Sequence, residues 1–365
     1  MEPGPGRGRH PGTDGAGASV HRARHRARPG AAQILGQRPE EGRGPVRPAA
    51  RHGPHLYRGQ TAGRTGAGQK TKEQEDVTAP LLAAPAYARL PVADIAAAGR
   101  FARDILGLPP GPALDGIACF RASQRQHDLS FTGPEGIAAL GVELRDEAAL
   151  EAAEAALGAA GFAHRRAGAE ECRRRLADAV LLTADRSGNA VDLVLRPHYG
   201  GRRCHLLRDT GILGLHSVGL RSTDPAGDLA FWQALGAGVS DHVGDIAYLR
   251  IDGRHHRIAL HPARRPGLLN VAFAVEGLDH VMQASYFAAE HQVRVLHGPG
   301  RQAVSGLVFL HLAGPEGHIV SLVAGDDEIG PGPRRPRRFP FRADTLCTWG
   351  SLCTEVPEWQ AEAGR

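Results

Sequence analysis

Methionine is nearly absent from the 365 residues: only Met1 and Met282 occur. Aromatic residues make up 5% of the chain, and no run of about twenty apolar residues exists, which excludes a membrane-spanning helix of the ordinary kind. Cysteine is scarce too. Cys119, Cys172, Cys204, Cys347 and Cys353 are odd in number and form no CxxC pair, which argues against a disulfide framework or a structural zinc site. A reducing, cytoplasmic setting is the expectation. The formal net charge of +5 is unevenly spread. Residues 1–76 carry 14 Lys and Arg against 7 Asp and Glu, and the remainder carries 30 against 32. The bulk of the chain is thus near neutral, so neither a nucleic acid nor a membrane is an expected partner.

The basic first fifth is rich in glycine and proline, with 15 and 8 among residues 1–76. Such a segment cannot bury enough apolar surface to offset its conformational entropy, so it reads as a disordered extension. The run HRARHRARPG (21–30) gives a second reading as a targeting or RNA-binding patch. A misassigned start is a third, since order is expected to begin near Val77.

From about residue 85 the chain duplicates itself. IACFRASQRQH (117–127) aligns with IAYLRIDGRHH (246–256) at a shift of 129. The same shift pairs Leu106-Gly107 with Leu235-Gly236, Val142 with Val271, and Gly188 with Gly317. A constant shift at four separate places indicates two equivalent modules. Each module alternates a strand, a helix and three strands, twice over. In the second module the first strand is HSVGLRSTD (216–224), followed by the helix PAGDLAFWQAL (225–235), which Asp224 caps. The second half opens with LLNVAFAV (268–275) and the helix LDHVMQASYFAAEHQ (278–292), and closes with LVFLHLAG (307–314) and HIVSLVAG (318–325). A single βαβββ unit is too small to bury its helix and sheet face alone, so the units are expected to pair. The fold class is α+β. Expected boundaries are a first module at 85–200, a second at 210–326 and a C-terminal arm at 327–365.

RASQRQHDLSF (121–131), GRHHRIAL (253–260), LLNVAFAVEGLDHV (268–281), GPGRQAVSGLVFLHLAGPEG (298–317) and the tail TWG (348–350) carry a resemblance. The chain resembles the vicinal oxygen chelate superfamily of glyoxalases, bleomycin-resistance proteins and extradiol dioxygenases. Within it, the chain looks like the two-module type I extradiol enzymes, such as the 2,3-dihydroxybiphenyl 1,2-dioxygenases. The resemblance implies half-open barrels of paired βαβββ units. It implies one ferrous ion on two His and one carboxylate, with a further His moving protons. It places the first ligand on His216 and the acid–base role on His256. The other two ligand positions fall on Val271 and Ser321, and neighbouring pocket positions on Gln302, Val304 and His311. The first module has Val142 and Asp192 at its equivalent positions.

Valine has no lone pair and a serine hydroxyl replaces a carboxylate poorly, which puts Fe(II) ring cleavage in doubt. The cofactor is then Fe(II) or none. Strand parity turns residues 319 and 321 inward. His216, His256 and His311 are then expected around one cavity, either as a three-imidazole site suited to zinc or as a polar pocket without metal. His255 is expected to point to solvent, and His261 and His280 to lie at the surface. Trp232 is expected in the core. The run RRPRR (334–338) reads as a solvated face, with a partner contact as the alternative. Three functions remain open: a ring-cleaving dioxygenase with an altered site, a metal-independent protein binding a small catechol-like aromatic ligand, and an inactive partner subunit. A homo-oligomer is the expected assembly.

Overall fold

The computed structural model describes residues 80–330 and 334–361, so the readings of the first 76 residues lie outside the described part. The first module runs β1 (Leu82–Pro91), α1 (Ile95–Arg100), β2 (Ile117–Phe120), β3 (Leu129–Thr132), β4 (Ala139–Leu144), α2 (Glu147–Ala159), β5 (His164–Arg166), α3 (Ala169–Arg173), β6 (Ala177–Ala184) and β7 (Ala190–Pro197). The second runs β8 (Ile212–Ser222), α4 (Pro225–Ala234), β9 (Gly238–Val243), β10 (Ile246–Arg250), β11 (Ile258–Pro262), β12 (Gly267–Val275), α5 (Leu278–Glu290), β13 (Val295–Arg301), β14 (Val308–Ala313) and β15 (Ile319–Ala324). The C-terminal arm adds β16 (Arg337–Phe339) and α6 (Ala343–Leu346). The helices begin where the sequence supplies caps: Asp94, Asp146 and Asp224 each accept from a first-turn N–H.

Each module forms one sheet. The first has the order β2-β3-β1-β4-β7-β6-β5, and the second β13-β14-β15-β12-β8-β11-β10-β9-β16. In both, the two opening strands of the half-modules pair antiparallel at the centre, β1 with β4 and β8 with β12. A parallel neighbour lies on either side, β3 and β7 in one sheet and β11 and β15 in the other. The architecture is mixed α+β; the second module is a pair of βαβββ units, whereas the opening half of the first has two strands after its helix and an isolated Pro110–Phe120 bridge beside them, not the expected three strands.

One apolar cluster runs through both modules and collects one face of every central strand. Val218 and Leu220 of β8, Val271 and Phe273 of β12, and Val320 and Leu322 of β15 all belong to it. Trp232 and Phe231 of α4 pack fully buried in the same cluster. The opposite, concave face is where a ligand cavity can form. In the first module the middle of that face is occupied from within, and a shallow pocket of about 300 Å³ beside Arg89, Arg175 and Asp192 remains. Gly141 leaves room for the Tyr87 ring, because a Cβ there would meet it at 2.7 Å. The Tyr87 hydroxyl donates to Asp192 at 2.7 Å, Arg175 pairs with the same carboxylate at 2.8 Å, and Tyr87 stacks on His127.

The modules are joined by two polar seams that repeat the duplication. Ser187 accepts from the backbone N–H of Thr223 at 2.8 Å. Its counterpart 129 positions on, Glu316, accepts from the backbone of Asp94 at 2.9 Å. Asn189 reinforces the buried seam. Its amide accepts from Gly267 N–H at 2.6 Å and donates to the Arg221 carbonyl at 2.9 Å. Asn189→Ala strands both backbone groups and is expected to cost about 2–3 kcal/mol in urea unfolding. Glu316→Ala, at the exposed seam, is expected to cost less. Equal losses would show that burial does not set the strength of these seams.

Candidate active site in the second module

Strand parity decides what reaches the concave face of the second sheet. On β12 the apolar residues Val271 and Phe273 turn to the helices, so Asn270 and Ala272 turn to the cavity. Val271 is therefore not a cavity residue. It lies 1% exposed in the apolar cluster. Asn270 takes the inward position, and Gly219 opposite makes space for it, since a Cβ there would meet the Asn270 Oδ1 at 2.2 Å.

A bulge changes the first strand in a similar way. Ala272 pairs with Ser217 but Phe273 pairs with Leu215, which leaves His216 between registers. Ser217 lines the cavity, and the His216 ring sits behind it. His216 Nδ1 accepts from the Ser217 hydroxyl at 2.9 Å, and Nε2 lies 3.3 Å from Asp326 in a poorly aligned contact. Burial raises the Asp326 carboxyl, but His216 and Arg254 outweigh it and hold the group at about 2. The third expected ligand position, Ser321, does face inward. It accepts from the Asn270 amide at 2.9 Å and contacts His311 Nδ1 at 2.6 Å.

The cavity itself is small, about 30 Å³, and is lined by Tyr248, His256, His261, Asn270, Gln302 and His311 among others. Gln302 and His311, two of the pocket positions that the resemblance named, are among these lining residues. Val304 packs beside Tyr248 in an adjoining apolar cluster. Two surface expectations are corrected. His261 is 4% exposed, because it lies on the concave face of β11. His255 is fully buried, because residues 252–257 form a turn that folds both histidines inward rather than a strand that would alternate them. His280 does sit near the surface, in contact range of Asp209 and Glu276.

The mouth is closed by the arm. Trp359 stacks on His311 with ring centroids 4.4 Å apart and also contacts His261 and His297. Its neighbour Glu358 pairs with Arg221 at 2.6 Å. The basic run is not a simple solvated face. Arg334 and Arg337 pair with the buried Asp241 at 2.8 and 2.6 Å, and β16 docks beside β9. Asp241 in turn accepts from His255 Nε2 at 2.9 Å, and His255 Nδ1 lies 3.1 Å from His256 Nδ1. Trp359, His261, Asn270, Tyr248 and Asp241 are the site residues that sequence reasoning missed.

A facial triad for Fe(II) needs two imidazoles and a carboxylate converging on one point. The inward strand positions offer Ser217, Asn270 and Ser321 instead. The nearest carboxylates, Asp326 and Asp241, are engaged behind His216 and His255. Among the described residues no group of three or more His, Cys, Asp or Glu is placed to hold a metal. The donor set does not fit the ferrous ion that the resemblance implies.

The cavity imidazoles are neutral for a physical reason. Burial pushes His256 and His311 well below the usual range and lowers His261 to about 3, as it does His127 in the first module. Each regains an ordinary pKa near 6.5 on unfolding. The unfolded chain therefore takes the proton first, so stability is full above about pH 6.5 and is lost as pH falls toward 3. At pH 5, His127 and His261 are each expected to cost about 2 kcal/mol relative to neutral pH. The check is the urea midpoint at pH 7 and pH 5, with His261→Asn showing a shallower decline than the parent. An unchanged slope would assign the acid sensitivity elsewhere.

Comparison with known proteins agrees with this architecture. Residues 214–322 match the family model of the glyoxalase/bleomycin resistance protein/dioxygenase superfamily. A curated iron-dependent extradiol dioxygenase from Rhodococcus jostii is 26% identical over 265 residues, which span 64% of this chain and 85% of that protein. Among solved structures, homoprotocatechuate 2,3-dioxygenase from Arthrobacter globiformis superposes with a TM-score of 0.68 at 22% identity, covering 78% of this chain and 92% of the other. A Mn(II)-bound glyoxalase from Novosphingobium aromaticivorans gives 0.68 at 20%, covering 78% and 95%. At these identities the structural likenesses speak to the fold. The chain has the two-module fold of the extradiol dioxygenases, and its second module matches the glyoxalase/bleomycin resistance protein/dioxygenase superfamily.

Proposed function

We propose that this protein binds a small hydroxylated aromatic ligand in the cavity of its second module, without a ring-cleaving iron. The observation that carries the reading is the set of groups turned into that cavity. They are neutral imidazoles, two amides and hydroxyls, with aromatic rings beside them and no carboxylate. Such a lining suits an uncharged planar ligand that donates a hydrogen bond, and it suits a divalent cation poorly. The lineage supports the ligand class, because the Rhodococcus relative is named an extradiol dioxygenase and one superposing structure holds 3,4-dihydroxyphenylacetate.

The stacked Trp359–His311 pair supports the same reading from the other direction. An aromatic ring already lies flat in this seat, and it belongs to the protein itself. Entry of a ligand ring into a cavity of about 30 Å³ requires that ring to leave. A cleft of about 110 Å³, lined by His297, Leu346, Ser351, Cys353 and Ala361, shares Trp359 with the cavity and is the approach this reading assigns.

Removing the ring tests the reading. Trp359→Ala is expected to lose about 3–5 kcal/mol of stability. Catechol or phenol is then expected to raise the melting temperature of the variant more than that of the parent, because a ring-sized apolar void takes up a ring. Trp359→Leu serves where the alanine variant does not fold. No stabilisation of either variant would overturn the binding reading. Anaerobic Fe(II) loading is expected to leave no stoichiometric metal. About one ion per chain, lost in His216→Ala, would instead restore the dioxygenase reading.

A further inference from the structure

The turn between β10 and β11 buries two adjacent histidines in series with a carboxylate. Asp241 lies on β9, at the edge of the second sheet. Its carboxylate is clamped by the Arg334 and Arg337 guanidinium groups and by the Arg337 backbone N–H at 2.7 Å. Burial raises this carboxyl, but the Arg337 and His255 hydrogen bonds prevail and hold it at about 2. Asp241 is therefore an anion at neutral pH and can only accept. His255, fully buried against it, must donate from Nε2 across the 2.9 Å contact.

Proton counting fixes the rest of the series. A neutral imidazole with its proton on Nε2 has a lone pair on Nδ1. His255 Nδ1 therefore accepts from His256 Nδ1 across 3.1 Å. His256, also neutral in its buried place, then has its single proton on Nδ1. Its other ring nitrogen, Nε2, holds a lone pair, and His256 is the member of the series that lines the cavity.

We infer that Asp241 and His255 are positioning residues that fix the tautomer of His256 and make its Nε2 the proton-accepting atom of the cavity. The ligand chemistry this selects is an O–H or N–H donor, a phenol rather than an ether. When Nε2 takes a proton, the imidazolium that results is backed through His255 by the fixed charge of Asp241. The carboxylate stays ionised throughout, because two arginines hold it. The ligand part of this inference rests on the aromatic-binding reading above; the tautomer part does not.

Long-range proton–nitrogen correlation spectra of the histidine-labelled protein test it directly. In the parent, His256 Nε2 is expected to show the signal of an unprotonated ring nitrogen. A protonated Nε2 in the parent overturns the inference, and this measurement needs no variant. Asp241→Asn is the second arm. His255 and the Nη2 groups of Arg334 and Arg337 share Oδ2, so an amide nitrogen placed there would donate to His255 Nε2 and turn the guanidinium groups to the amide oxygen at the Oδ1 position, which Arg337 already meets. Both imidazoles are then expected to flip, leaving N–H on His256 Nε2. A merely structural role for Asp241 would leave that signal unchanged, and such a result also overturns the inference. Where Asp241→Asn does not fold, His255→Phe removes the relay while keeping the bulk, and His256 is expected to show both tautomers. In the Trp359→Ala background, Asp241→Asn is expected to weaken phenol binding about tenfold and anisole binding little. The expected spectra without any phenol binding would uphold the relay and sink the aromatic-binding reading alone.

Discussion

The alternation of side chains along three neighbouring strands governs this molecule. β8, β12 and β15 each give one face to the helices and the other to the concave side. Every apolar residue committed to the helix face fixes which polar residue faces the cavity. Burial on both faces leaves no freedom to slip by one residue, because a slip would exchange valines and phenylalanines for amides and hydroxyls along the whole strand. The small cavity, the neutral imidazoles and the seat of Trp359 all depend on that constraint.

Neutrality of the lining is a consequence of closure. A histidine exposed to water titrates near neutral pH, whereas His256, His261 and His311 are sealed between the sheet and the arm. The fixed charges of the region are placed behind the lining rather than in it. Asp326 meets Arg254 and His216, and Asp241 meets Arg334, Arg337 and His255. Charge thus acts on the cavity through intermediate rings, which orient without occupying.

Much of this architecture is legible in the sequence, because repeats and alternation are local signals. The duplication at a spacing of 129 shows as self-similarity of short segments, and the strand and helix order and the aspartate caps need only neighbouring residues. The inward position on β12 is also present in the alternation of Val271, Phe273 and Val275, which leaves Asn270 on the other face. The displaced role of His216 is not, because the bulge is a property of the pairing between β8 and β12. The burial of His255 depends on Asp241 and on arm residues more than 75 positions away. Trp359 reaches His311 across 48 positions, and nothing in PEW itself marks it as a cavity residue.

The two modules fill their concave faces by different means. Tyr87 sits on a central strand, between β3 and β4, and cannot leave without dismantling the sheet. Trp359 sits on a terminal arm, on a short helical turn held by the Arg221–Glu358 and Arg294–Glu355 ion pairs and by its own burial with Val356. Its departure asks for local opening of the arm rather than for dismantling of the sheet. A tethered ring behaves as a permanent competitor at an effective concentration on the order of millimolar. On the proposed binding reading, the second cavity therefore has a built-in threshold: dilute ligand meets a filled seat, and occupancy rises only where the ligand outmatches a residue that never diffuses away.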